Sequence, residues 1–304
     1  EQRRKMLAHR LTPKALRSMR QEVEERADAV VRAAVAQGEV DGVVDVAVAL
    51  PTSFVPDLVG WPQEGREHLL RWAGATFDSL GPMNAQSLRT ARSSIEMMRF
   101  ARSVVRRGDV LPGSMGGDLM AKVESGELER GACPALMIDY LAPSLDTTIS
   151  AIASALMLLA RHPDQWELLK SDPDLIPNAV NEVVRVESPL RAFSRVADAD
   201  AEVGGVTVPQ GSRVLVLYAS ANRDERAWEE PERFDVTRDA TRQLGFGQGA
   251  HGCAGQGLAR LETQSILRSM VERVDRIELV GEPVWGINNI IHKLDHLPLR
   301  LTPA

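Results

Sequence analysis

"FGQGAHGCAGQ", residues 246–256, wraps one thiol, Cys253, in glycine. With Gly245 just ahead, the loop holds Gly245, Gly247, Gly249, Gly252 and Gly255. The other cysteine of the chain, Cys133, is 120 residues earlier, so the two form no disulfide framework and a reducing compartment is the default. Glycines permit positive φ and close backbone approach. An amphipathic pattern near 256–274 makes the loop run into a helix N-terminus, whose free N–H groups converge where the sulfur sits. That environment favours thiolate over thiol.

A thiolate held by backbone donors suits the axial position on haem iron, because the donors moderate the charge on sulfur. Other readings of the same letters are weaker. Gly247-x-Gly249-x-x-Gly252 fits a dinucleotide fingerprint, but the preceding "RDATRQLGF" is a poor strand. His251-x-Cys253 is half a zinc site with no second pair at ligand spacing. A plain glycine loop around a structural cysteine stays open on these residues alone.

The 304 residues are 44% hydrophobic and 26% charged, with a net charge of -6. This is a globular composition that argues against a basic nucleic-acid binder. No uninterrupted apolar run is long enough to span a bilayer, and no signal-peptide pattern opens the chain. The opening "EQRRKMLAHRLTPKAL" reads as the middle of a helix, so further chain is expected ahead of it.

Working outward, helical periodicity dominates to about residue 190. Thr12 as cap, Pro13 in the first turn and Gly38 at the end bracket one helix. Proline-interrupted helix is expected over 43–61, and helices over 63–82 and 85–108. "VLPGSMGGDL" (110–119) reads as a loop. Residues 130–160 are apolar nearly all round, a core helix with a kink expected at Pro143. Helices near 163–171 and 175–188 follow. Then Val-rich stretches with Gly-Gly and Pro-Gln-Gly turns read as short antiparallel strands. Residues 221–250 are irregular and polar. Strand-like pieces near 277–280 and 297–302 close the chain.

Two more stretches bear chemistry. In "NEVVRVESP", Glu182 and Arg185 share a helix face and can pair. In "APSLDTT" (142–148), Asp146 and Thr147 sit inside an apolar helix. There an unpaired carboxylate is costly, and a Thr hydroxyl can satisfy its own helix carbonyl.

Phe246-Gly247-x-Gly249-x-His251-x-Cys253-x-Gly255, followed by "LAR" (258–260), resembles the haem loop of the cytochrome P450 family. "PERFDVTR" (231–238) is similar to the family's Pro-x-x-Phe-x-x-x-Arg. The resemblance spans residues 1–304. It implies a mainly α fold with a small β part, the P450 fold lacking its N-terminal quarter. The chain is then one haem-binding domain, helix-rich over 1–190, with strands and the haem loop over 191–304. It implies haem b (iron protoporphyrin IX) with Cys253 as the axial ligand of the iron. It implies Arg4, Arg195, Phe246, Gly247, Gly249, His251 and Gly255 at the cofactor, with Arg195 and His251 at propionate positions and Arg4 on a helix flanking the haem. Glu182, Arg185 and Arg238 form a buried triad that shapes the loop, Arg233 being the alternative third member. Asp146 and Thr147 are the acid and alcohol that supply protons for dioxygen activation. The family's Ala-Gly before that pair is Pro143-Ser144 here, and Pro143 frees the carbonyl of Asp139.

"QEGREHLL" (63–70), "FDSLGPMN" (77–84), "ANRD" (221–224) and "INNIIHKLDHLPLRLTPA" (287–304) resemble the bacterial P450s that oxidise para-substituted benzoates and methoxylated aromatics. This implies monooxygenation of a small aromatic substrate with O2, by hydroxylation or oxidative O-demethylation. Phe77, Asp139, Ala142, Pro143 and Phe193 are the substrate-pocket candidates by position. Phe77 and Phe193 could equally be core residues. Asp139 either faces the pocket, disfavouring a benzoate and favouring a phenol or amine, or turns away to a surface arginine. The chain carries no flavin or iron–sulfur motif, so electrons come from outside it, and the resemblance implies a [2Fe-2S] ferredoxin and its NAD(P)H-dependent reductase as their source. "RRKMLAHRLTPKALRSMR" (3–20), with seven Lys and Arg residues, suits an acidic donor. A cytoplasmic monomer, with no nucleic acid or membrane, completes the expectation. The rival readings are a peroxide-driven peroxygenase, which the Asp146-Thr147 pair disfavours, and a truncated haem-binding protein without turnover.

Overall fold

The protein is described by a computed structural model over residues 6–304; Arg4 lies outside the described residues. Helix α1 (Pro13–Gln37) opens where Thr12 Oγ1 accepts the Ala15 N–H at 3.3 Å, and ends at Gly38, φ 78°, whose N–H returns to the Ala34 carbonyl. Strand β1 (Glu39–Asp41) and a π-helical turn, Gly42–Ala47, lead into α2 (Ala49–Val59). Then come α3 (Leu69–Leu80), α4 (Ala85–Arg107), α5 (Met115–Glu124), α6 (Cys133–Arg161), α7 (Pro163–Ser171) and α8 (Ile176–Glu187). Four short strands follow: β2 (Ala192–Val196), β3 (Ala201–Val203), β4 (Val206–Val208) and β5 (Arg213–Leu217). After the single turn of α9 (Tyr218–Ala221) the backbone is irregular to α10 (Gln256–Arg273). The chain closes with β6 (Val274–Leu279), β7 (Val284–Trp285), β8 (Leu294–His296) and β9 (Pro298–Pro303).

Two elements differ from the sequence expectation. Residues 115–119 are helical, not loop. Ser114 Oγ accepts the Gly117 N–H at 3.1 Å, a cap strong enough to start α5 despite paired glycines. Gly116 is there because a Cβ would meet Val110 Cγ1 at 2.5 Å and the Val59 carbonyl at 2.9 Å. Strand β1 has too few residues to show alternation. It forms because β9 pairs with it, Val40 opposite Leu299, in the antiparallel sheet β1-β9-β6.

Helix α6 organises the core. It runs unbroken past Pro143 and packs against α2, α3, α4, α8 and α10. By length and composition it could cross a membrane, but 83% of its apolar window is buried inside the fold. Leu141, Leu145, Ile149 and Leu156 are covered on one side or another. The exception is a stripe with Asp139 and Pro143 exposed and Thr147 half-buried, at i, i+4 and i+8. These three positions form an uncovered face of the helix among the described residues.

Candidate active site

The cysteine loop is pinched at its base. The Cys253 N–H donates to the Phe246 carbonyl at 2.7 Å, and the Gly247 N–H to the Leu244 carbonyl at 2.8 Å. Gly247 (φ 63°) and Gly249 (φ 68°) lie in the left-handed region where a side chain would be strained, which explains glycine at both. Gly245 is required by contact instead: a Cβ there would meet Val184 Cγ1, on α8, at 2.5 Å. The pinch lifts residues 248–251 into a turn with His251 exposed, and Gly255 leads into α10. Cys253 is exposed, whereas Cys133 is buried and burial pushes its thiol pKa up. One donor thus differs from the sequence picture, since the Cys253 N–H serves the loop itself.

Arg260, from α10, fastens this loop. Its guanidinium carbon lies 4.5 Å from the centre of the Phe246 ring. Nε donates to Asn181 Oδ1 on α8 at 3.1 Å, and an Nη donates to Gln256 Oε1 at 2.8 Å. Burial holds its pKa below the usual guanidinium range, with the Cys253 sulfur opposing that shift. The sequence contained this arginine in "LAR" without showing its task.

Below the loop, Glu182 and Arg185 are both fully buried. Arg185 Nε and one Nη donate to the two Glu182 oxygens at 2.7 and 2.8 Å. The remaining donors go to the carbonyls of Asn222 (2.9 Å), Pro231 (2.7 Å) and Arg233 (3.0 Å). A guanidinium has five N–H groups, and all five are satisfied here. Arg238 Nε donates to Glu182 Oε1 at 3.2 Å, while the Arg233 side chain turns out to Glu230. Of the two arginines that the sequence left open, Arg238 therefore meets Glu182. Buried Asn222 extends the cluster toward the cysteine loop, Oδ1 accepting the Leu244 N–H at 2.7 Å.

The acid and alcohol of α6 do not face the same way. Thr147 Oγ1 donates to the Pro143 carbonyl at 2.7 Å, on the exposed stripe. Asp146 is 4% exposed, and its Oδ2 has no hydrogen-bond partner. Burial pushes its pKa to about 6; Asp78 and Asp295 act in the same direction and Lys293 opposes them.

Two of the pocket candidates by position are buried. Ala142 is fully buried and Phe77 is 3% exposed. One residue of helical rotation separates Ala142 from Pro143, enough to move it from the open stripe into the packing. Asp139 is exposed on the stripe. Phe193 is half-buried on β2, opposite Val216. Arg195, on the same strand, donates to the Tyr218 hydroxyl at 3.1 Å.

Among the described residues no three His, Cys, Asp or Glu side chains converge as a metal cage. A metal bound through the exposed Cys253 has to bring its other ligands with it, and haem does so. A single protein thiolate on a rigid glycine loop therefore fits haem iron.

The comparisons agree. The family model for cytochrome P450 matches residues 172–278. The chain is 38% identical over 302 residues to cytochrome P450 CYP199A2 of Rhodopseudomonas palustris, covering 99% of this chain and 73% of that protein. It is 32% identical over 307 residues to the 6-deoxyerythronolide B hydroxylase of Saccharopolyspora erythraea, covering 98% and 74%. The crystal structure of P450BioI in complex with hexadec-9Z-enoic acid ligated acyl carrier protein matches with a TM-score of 0.90 and 26% identity, covering 98% of this chain and 78% of that one. The chain belongs to the cytochrome P450 family. It is a P450 monooxygenase, and its cofactor is haem b.

Proposed function

We propose that this monooxygenase acts on a small aromatic substrate, by hydroxylation or oxidative O-demethylation, and that Cys253 is its axial haem ligand. The observation that carries the ligand assignment is the exposed thiol on a pinched glycine loop, locked by Arg260 and Phe246. When bound, haem supplies the iron centre at which dioxygen is activated. The chain's own part is to hold the sulfur, bind and orient the substrate along the exposed stripe of α6, and manage protons. Asp139 and Pro143 offer the stripe one charge and one apolar face. Asp146, with its pKa near 6, holds a proton at one oxygen below that pH and releases it above. Electrons arrive from a [2Fe-2S] ferredoxin, and the protein works as a cytoplasmic monomer.

The substrate class rests on the sequence stretches similar to benzoate- and methoxyarene-oxidising P450s. The test is a panel of aromatic acids, phenols and methoxyarenes scored by haem spin-state shift, with the red-shifted Soret band of the reduced CO complex reporting thiolate ligation. A normal CO spectrum with no aromatic shift sinks the substrate class alone. Loss of the red-shifted band in the native protein sinks the ligand assignment. Comparing benzoate with phenol in Asp139→Asn tests the stripe; an unchanged preference removes Asp139 from recognition.

One observation favours a second reading, peroxide-driven turnover. Thr147 donates to its own helix carbonyl, and Asp146 is turned into the core. Product formed with hydrogen peroxide as fast as with NADH and redox partners would establish it.

A further inference from the structure

Helix α4 carries six arginines and one glutamate, in a chain whose net charge is -6. Its inner face is apolar: Met97, Ala101, Val104 and Val105 are buried where α4 packs on α3 and α6. Along the outer face run Leu88, Arg92, Ile95, Arg99, Arg102 and Arg106, alternately four and three residues apart, and all six are exposed. That is the rhythm of a seam along which one helix packs on another. At the rise of an α-helix it extends over about 27 Å.

The positive charge on this face is mostly unneutralised. Glu96 is shared between Arg71 of α3, at 2.6 Å, and Arg92, at 2.9 Å, while Arg107 turns to Glu64 and Asp109. Among the described residues Arg89, Arg99, Arg102 and Arg106 have no carboxylate partner. Arg99, Arg102 and Arg106 stand one turn apart, where like charges cost a helix stability. Leu88 and Ile95, 67% and 52% exposed, are apolar rungs in the same seam. Ile95 opens, with Ser94, Met98, Arg99 and Arg102, onto a depression in the surface.

We propose that the outer face of α4 docks an acidic amphipathic helix of a partner protein, whose carboxylates meet Arg99, Arg102 and Arg106 and whose apolar residues cover Leu88 and Ile95. Other occupants match this face less well. A second α4 would set arginine against arginine. A nucleic-acid backbone would take up the guanidiniums and leave Leu88 and Ile95 in water. A lipid surface calls for a broad apolar face, and here two apolar rungs stand among four arginines. Carboxylates carried beside apolar residues at helical spacing answer both parts of the seam, and guanidinium–carboxylate bonds are the strong, directional kind. The face is separate from the thiol: α4 packs on α3 and α6, whereas the cysteine loop is fastened through α8 and α10. The proposal goes beyond the monooxygenase reading and does not rest on it.

The test is isothermal titration of the haem-loaded protein with a helical peptide of about three heptads, leucines at its seam positions and glutamates flanking them. A scrambled peptide of equal charge, a mixed-sequence DNA duplex and phosphatidylglycerol vesicles are the comparison arms. The matched peptide should bind about tenfold more tightly than the scrambled one, because only it buries the two apolar rungs. Replacing Arg99→Gln, Arg102→Gln and Arg106→Gln together should weaken it about tenfold, exposed ion pairs being worth about twofold each. Ile95→Ser should weaken the matched peptide and leave the scrambled one unchanged. The reduced CO spectrum of both variants should equal that of the wild type, which separates lost docking from lost folding. No binding of the matched peptide, equal binding of the scrambled one, tighter binding of the duplex or the vesicles, or wild-type affinity in the triple variant overturns the proposal.

Discussion

The guanidinium of Arg260 sits over Phe246, its carbon 4.5 Å from the ring centre, and joins the first residue of the cysteine loop to the helix that follows it. The same side chain reaches Asn181 on α8, so one residue ties three segments together. Loop shape is therefore tied to one side chain that bridges the start of the loop, α8 and α10.

Arg260→Ala removes this tie. A cation–π contact of this kind contributes about 0.5–2 kcal/mol, and the Asn181 bond adds about 1 kcal/mol. Denaturant unfolding should show a loss of about 1–3 kcal/mol, with proteolysis at 246–252 accelerated. Arg260→Lys should recover the charge but not the fork to Asn181 and Gln256. Stability equal to wild type in the alanine variant contradicts the role.

Removing Glu182 is the severest change expected at the buried cluster. Glu182→Ala strands the fully buried Arg185 and cuts the bond from Arg238. Breaking a buried pair from one side costs about 3–5 kcal/mol. The expected outcome is a fall of that size in urea unfolding, or no soluble protein at all. Glu182→Gln, which keeps an acceptor, should fall in between.

Glu262 on α10 gives a pH prediction with an unusual sign. It is fully buried, neither oxygen has a partner, and burial pushes its pKa from 4.5 to about 8. Between those values the folded state keeps a proton that the unfolded chain gives up, so unfolding releases a proton. Stability is greatest below pH 4.5 on this group's account and falls by up to about 1.4 kcal/mol per pH unit as pH rises toward 8. Asp146 adds to the slope only between 3.8 and about 6. Glu262→Gln should flatten the wild-type decline measured by thermal unfolding from pH 6 to 8. An unchanged slope rules Glu262 out as its source.

Thr147→Val separates fold from proton handling. The lost bond to the Pro143 carbonyl is worth about 1 kcal/mol, so the melting curve should barely move. If the hydroxyl serves oxygen activation, product per NADH should drop several-fold while peroxide release rises. Tight coupling in the variant would leave Thr147 as an alcohol that only satisfies its own helix.

How much of this was legible beforehand follows from what sequence encodes locally. The cap at Thr12, the stop at Gly38 and the glycines at 247 and 249 act through backbone geometry within a few residues, and so were readable. The Glu182–Arg185 pair is one helical turn long and equally plain. What failed was decided by distant partners. Strand β1 exists because of β9, and Gly116 serves contacts to Val59 and Val110. The direction of Asp146 depends on its packing against Gly74 of α3, and Ala142 differs from Pro143 by one step of rotation. Arg260 stood in a recognised motif, yet its task shows only when α8 is placed beside it.

The pairing of β1 with β9 also orders events in time. Glu39 lies opposite Arg300, and the Leu301 N–H closes on the Gly38 carbonyl. During synthesis, the segment after α1 emerges long before its only described sheet partner. Ribosome-bound intermediates therefore carry an unzipped edge next to a nearly finished helical body. Such long-range closure is slow, and an exposed strand invites pairing with neighbouring chains. Yield at high expression should thus be governed by how soon β9 arrives, a vulnerability set by wiring and not by core strength.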